Sequence, residues 1–129
     1  MPSVFTRIIE GQLPGHFVWR DDEVVGLLSI NPLSAGHTLV VPREHKGSLF
    51  DLSAQAQAAI WQLVGEVRHE LNLTLTATGF NIGLNDGVAA GQTVLHAHVH
   101  VIPRYKDDVP DPRGGIRWVI PEKARYWTN

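Results

Sequence analysis

Cysteine is absent from all 129 residues. That excludes disulfides and thiolate metal sites, and it suits a reducing compartment. An excess of either charge is missing too: 11 Lys and Arg face 13 Asp and Glu, a net −2, with both signs mixed along the chain. Nothing here is an electrostatic footprint for duplex nucleic acid, although a small anionic ligand needs only a local site. No apolar run approaches the roughly 20 residues of a membrane span, so no membrane partner is expected. The opening MPSVFTRIIEGQLPG lacks the charged-then-apolar layout of a secretion signal. Repeats, low-complexity tracts and domain-dividing linkers are also missing. The expectation is a soluble, cytoplasmic protein forming one domain over 1–129. With 43% apolar and 19% charged residues it can bury a real core.

What is present reads as alternating short elements. Ser3 can cap a short helix whose apolar positions Val4, Phe5, Ile8 and Ile9 recur at helical spacing, ended by Gly11, Pro14 and Gly15. HFVWR and EVVGLLSI read as two strands around a turn at Asp21–Asp22, and TLVVP as a third after the turn-forming NPLSAGH. From Ser53 the period changes. Ala56, Ile60, Leu63, Val64, Val67 and Leu71 mark one face of a helix of about 18 residues. GFNIGL is a strand, NDGVAAGQ a glycine-rich loop and TVLHAHVHVIP a long strand, after which the chain reads as loop and irregular tail. Strands, one helix and strands again, with hairpin-length connections, predict an antiparallel α+β sheet.

GQTVLHAHVHVIPR, residues 91–104, holds three of the seven histidines at alternate positions. A strand sends alternate side chains to opposite faces. His96, His98 and His100 are therefore expected on one face, with Ala97, Val99 and Val101 turned into the core against the long helix. Imidazoles without partners are unfavourable to bury, which points to a cleft. Two chemistries suit such a row. A His-x-His pair can chelate zinc or iron if a third ligand arrives, and the nearest carboxylates are Asp86, Asp107 and Asp108. Alternatively, neutral imidazole is a nucleophile whose neighbours donate to phosphoryl oxygens. The flanking loop favours phosphate. Gly87 and Gly91 permit a tight turn that aims N–H groups at an anion, and Gln92 and Thr93 place neutral donors ahead of the strand.

HAHVHVI fits the pattern His-φ-His-φ-His-φ-φ, and FTRIIEGQLPGHFVWRDDEVVGLLSINPLSAGHTLVVPREH extends the similarity over roughly residues 4–104. On these motifs the chain resembles the histidine-triad (HIT) family, and NDGVAAGQTVLHAHVHVIPR looks like its dinucleoside polyphosphate hydrolase branch. The resemblance implies an antiparallel five-stranded sheet with one long and one short N-terminal helix, dimerising into a ten-stranded sheet. It implies hydrolysis or nucleotidyl transfer at the α-phosphate of dinucleoside polyphosphates or nucleoside phosphoramidates; for this chain no cofactor and no metal ligands are expected. His98 matches the nucleophile, which forms a nucleotidyl-imidazole that water hydrolyses. Its other ring nitrogen should then donate to a fixed acceptor such as a backbone carbonyl. His100 and His37 match positions that hydrogen-bond the α-phosphate, and His96 matches an orienting position. Gln92 and Thr93 resemble contacts to bridging or leaving oxygens, and Asn85 resembles a phosphate contact. Phe5, Ile8, Leu27 and Ile30 fall where the family lines its nucleobase pocket.

Three departures stand out. Ser29 occupies the position where the family often has a ribose-binding Asp, and a hydroxyl lacks the charge-assisted strength of a carboxylate. Ser3 and Thr6 stand where many bacterial members carry a zinc-binding Cys-x-x-Cys, so His45 is not expected to ligate zinc. His100 occurs where transferase branches carry glutamine, which favours hydrolysis. His16 and His69 read as surface residues. Residues 105–129 match nothing, and Trp118, Tyr126 and Trp127 could form a partner surface or complete a dimer. Two rival readings remain: a nucleotide-binding regulator with little turnover, and a metal-binding protein using the histidine strand.

Overall fold

The computed structural model describes residues 1–128. Along the chain run α1 (Val4–Ile9), β1 (Phe17–Arg20), β2 (Val24–Leu28), β3 (Thr38–Pro42), α2 (Ala54–Thr74), β4 (Gly79–Gly83), β5 (Val99–Arg104) and α3 (Pro121–Ala124). All strand pairs are antiparallel, in the spatial order β1-β2-β3-β5-β4. The α+β architecture and the five-stranded sheet expected from the resemblance are both present. Among the described residues no helix is long and apolar enough to cross a membrane.

Both faces of the central strands are covered, which explains why β2 and β3 are almost wholly buried and, Thr38 apart, apolar along their length instead of alternating. On one face Val24, Val40, Val99 and Val101 pack against Ile60, Leu63, Val64 and Val67 of α2. Burying each such side chain is worth about 1.5–3 kcal/mol, and the 3.6-residue stripe delivers them together. On the other face Val25, Leu27, Leu39 and Val41 pack against Phe5 and Ile8 of α1. Six residues are too few for a stable isolated helix. This packing and the Ser3 cap, which accepts the Thr6 N–H at 3.0 Å, hold α1 in place.

Three expectations change. The long helix has 21 residues rather than about 18, capped by Ser53 as expected. The histidine strand is shorter than its pattern, because the ladder starts at Val99 and leaves His96 and His98 ahead of it. The cause is the partner strand. β3 ends in Pro42, which has no N–H to donate, and Ala97 N–H turns instead to the Lys46 carbonyl at 2.8 Å. Finally, the tail is ordered rather than irregular. A 3₁₀ turn (Gly115–Val119) precedes α3, and the Arg113, Arg117 and Arg125 guanidiniums sit 4.6, 4.8 and 5.6 Å over Trp127, Tyr126 and Trp118.

Candidate active site

Each histidine of the row has a different environment. His96 is fully buried rather than cleft-lining: Nε2–H donates to the Pro42 carbonyl at 2.7 Å, and Nδ1 accepts from the Ser3 hydroxyl at 2.6 Å. Its own carbonyl accepts His98 Nδ1–H at 2.9 Å. That bond leaves a lone pair on His98 Nε2, the arrangement a nucleophilic imidazole requires. Phe5 braces both rings, with centroids 5.7 Å from His96 and 5.0 Å from His98.

A second chain of bonds sets His100. The Leu33 N–H donates to His37 Nδ1 at 3.1 Å, so the His37 proton must be on Nε2. Nε2–H in turn donates to His100 Nδ1 at 2.9 Å, which puts the His100 proton on Nε2. The His98 and His100 rings lie side by side, 5.2 Å between centroids. Thus one imidazole offers a lone pair while its neighbour offers an N–H. Burial holds His37 and His96 below the ordinary imidazole range. Burial first, then the neighbouring His98 and His37, pushes His100 down to about 4. His37, His96 and His100 are therefore uncharged at neutral pH, which keeps their donor and acceptor roles distinct.

The expected base-pocket residues come together. A slot of about 180 Å³ is lined by Phe5, Ile8, Leu27, Ser29 and Ile30, with His98 beside it. Phe5, Ile8 and Leu27 form a buried floor that belongs equally to the core, whereas Ile30, 75% exposed, stands at the rim. The Ser29 hydroxyl accepts the Asn31 N–H at 3.3 Å. A second, larger space of about 820 Å³ adjoins His100 and Asn85.

The glycine loop differs from expectation. Gly87 and Gly91 do turn the chain, at φ of 97° and 95°. Their N–H groups, however, are not aimed at a ligand: Gly87 donates to Gln92 Oε1 and Gly91 to the Val88 carbonyl. Gln92 is buried, and its amide nitrogen donates to the Gly47 and Val94 carbonyls at 2.8 and 3.0 Å. It therefore clamps the loop, next to a short 3₁₀ turn (Val88–Ala90), and with both amide hydrogens taken its side chain has no donor left for a phosphate. Thr93 and Asn85 are solvent-exposed.

Of the carboxylates offered to a metal, Asp108 is paired with Arg104 at 2.7 Å. Among the described residues no three His, Cys, Asp or Glu side chains gather closely enough to hold a metal ion. Four features of the site escaped sequence reasoning: the Ser3–His96 bond, the Leu33 amide behind His37, the Gln92 clamp, and the stacking of His45 on His96 at 4.8 Å. The pairing of Ser3 and Thr6 at the family's thiolate positions was the one available signal for the first.

A family model described as HIT domain matches residues 10–107. The adenylylsulfatase HINT3 of Arabidopsis thaliana is 35% identical over 105 residues, 81% of this chain and 53% of that protein. A zinc-bound histidine triad family protein from Mycobacterium smegmatis superposes with a TM-score of 0.77 at 34% identity, covering 95% of this chain and 93% of that one. A HIT family hydrolase from Clostridium thermocellum gives a TM-score of 0.72 at 32% identity, covering 84% and 95%. Zinc does not fit at the Ser3–Thr6 corner of this chain. Hydroxyls replace thiolates there, both His96 ring nitrogens are hydrogen-bonded, and His45 Nε2 is bonded to the Leu95 carbonyl at 3.0 Å.

Proposed function

Because this chain belongs to the histidine-triad (HIT) family of nucleotide-binding proteins and hydrolases, we propose that it hydrolyses nucleoside phosphate compounds at the α-phosphorus through a nucleotidyl–His98 intermediate. The observation that carries the reading is the 2.9 Å bond from His98 Nδ1–H to the His96 carbonyl, at the mouth of the apolar slot. The base enters the slot, held by stacking and apolar contact that read base edges weakly, and Ser29 faces the ribose. His98 Nε2 attacks phosphorus and the leaving group departs with its bonding pair. His100 Nε2–H donates to a phosphoryl oxygen as charge builds there, an electrostatic contribution that is usually large in such sites. Water then displaces His98. Thr93 and Asn85, exposed at the loop, contact the departing side. Gln92 acts by holding that loop in place. The working unit is a homodimer, a reading supported by the outer edge of β4, which pairs with no strand among the described residues.

The test is turnover of adenosine phosphoramidates and diadenosine polyphosphates by the wild type and by His98→Ala. The wild type should exceed the variant by about 10³-fold or more, as for loss of other catalytic nucleophiles. Mass spectrometry of wild type quenched in alkaline denaturant, where a P–N bond to imidazole survives, should show one added nucleotidyl group. Equal rates in the two proteins would refute the reading. Tight nucleotide binding by calorimetry without turnover would instead identify a nucleotide-binding regulator.

A further inference from the structure

The proton that His100 offers to a phosphoryl oxygen is set from a distance, by a main-chain amide. Leu33 N–H is the one donor to His37 Nδ1 among the described residues, at 3.1 Å. Without it His37 is free to carry its proton on Nδ1 instead. His37 Nε2 would then accept from His100 Nδ1–H, and His100 Nε2 would face the phosphoryl oxygen with a lone pair. Both rings would stay neutral, yet the donor to the phosphate would be gone. The direction of the whole relay therefore depends on where residue 33 sits.

Leu33 does not hold that place by itself. Its side chain is 76% exposed, and Pro32 before it has no N–H to bond. Two side-chain bonds at the next residues hold the segment. The Ser34 hydroxyl donates to the Pro103 carbonyl at 2.6 Å, and the Tyr105 hydroxyl donates to the Ala35 carbonyl at 2.6 Å. Pro103 is fully buried and lies past Val101, where the β3–β5 ladder ends. The Ser34 bond thus extends the join between these two segments beyond the ladder. Gly36 completes the seat at φ of 90°. A Cβ added there would stand 2.7 Å from Leu75 Cδ1 and 3.3 Å from Pro103 Cγ, so the loop lies against both α2 and β5. Pro103 belongs to β5 and Tyr105 follows it directly, and β5 also carries His100. The strand that presents the donor fixes the loop that sets its proton.

Resting on the hydrolase reading above, we propose that Ser34 and Tyr105 are positioning residues that lock the Leu33 amide against His37 and so keep the His100 proton on Nε2. Neither is asked to touch substrate. Their work is to hold the amide that orders two imidazole protons. Each anchor is one net hydrogen bond, worth about fivefold in the population of the locked loop.

The experiment uses Ser34→Ala, Tyr105→Phe and the two together in the full chain. Histidine side-chain ¹⁵N spectra read which ring nitrogen carries each proton. In the wild type His37 and His100 should both be protonated on Nε2, and in the double variant a population protonated on Nδ1 should appear at both. The kcat for whichever of the two substrate classes above the wild type turns over faster should fall at least about fivefold in the double variant. Affinity for adenosine, which has no phosphate for the histidines to meet, should stay within about twofold of wild type. Should the double variant not fold, either single variant gives the same spectral comparison. Unchanged protonation sites would overturn the proposal whatever the rate, and so would a kcat within about twofold of wild type. Loss of adenosine binding in step with kcat would also overturn it, since the two bonds would then be props of the slot. If the wild type turns over nothing above the His98→Ala rate, the hydrolase reading falls, while the spectra still decide whether these anchors order the relay.

Discussion

Ser3→Ala tests the corner on which the nucleophile rests. The Ser3 oxygen does two jobs: it accepts the Thr6 N–H at 3.0 Å as the cap of α1, and its hydroxyl donates to His96 Nδ1 at 2.6 Å. Losing the cap costs about 1 kcal/mol. The second loss leaves an acceptor unsatisfied inside a residue with no solvent exposure, about 1–3 kcal/mol. Thr6 Oγ1, 3.5 Å from the same nitrogen, is placed to recover part of that. The expected total is about 2–3 kcal/mol, which for a chain of this size lowers Tm by about 10 °C. Urea denaturation measures it, with the midpoint falling at unchanged slope. Ser3→Thr keeps the hydroxyl and should lose less than about 1 kcal/mol. Turnover should fall in Ser3→Ala as well, because α1 carries Phe5, which braces His98. A loss below about 0.5 kcal/mol would refute the reasoning, since neither bond could then hold the fold in solution.

Stability should also rise with pH between about 4 and 6.5. Burial depresses His37, His96 and His100, the last to about 4, and in the unfolded chain they return to about 6.5. In that window the unfolded chain binds protons that the folded one refuses, so unfolding is favoured at the acid end and the effect vanishes above it. His100 accounts for at most about 3 kcal/mol. Urea midpoints that do not differ between pH 4.5 and 7.5 would rule this out. Ser29→Asp should raise the affinity ratio of adenosine monophosphate to its 2′-deoxy form by up to about tenfold, through a charge-assisted bond, as read by calorimetry. An unchanged ratio would place the ribose elsewhere. Gln92→Leu should cost about 2 kcal/mol and speed hydrogen exchange at the Gly87 amide, whose acceptor it removes. Unaltered exchange there would show that the clamp is not closed in solution.

Periodicity and turn chemistry in the sequence already determined much of this protein. The α2 stripe from Ala56 to Val67, the Ser3 and Ser53 caps and the apolar runs of β2 and β3 follow from rules that act within a few residues. The spacing of His96, His98 and His100 is equally local, and it pointed to the site. A hydrophobic period says which way a side chain faces and nothing about what waits across from it. The roles of the histidines depend on atoms 54, 63 and 93 positions away: the Pro42 carbonyl on His96, His37 on His100, and Ser3 on His96. Such bonds exist only where the fold brings distant segments within about 3 Å. Gln92 shows the same division. Its residue type and place predicted a ligand donor, but the backbone around it supplied three partners first, and a buried amide takes the partners that burial provides. The order in the tail at Gly115–Val119 had no periodicity to betray it, because a 3₁₀ turn is too short to carry a pattern.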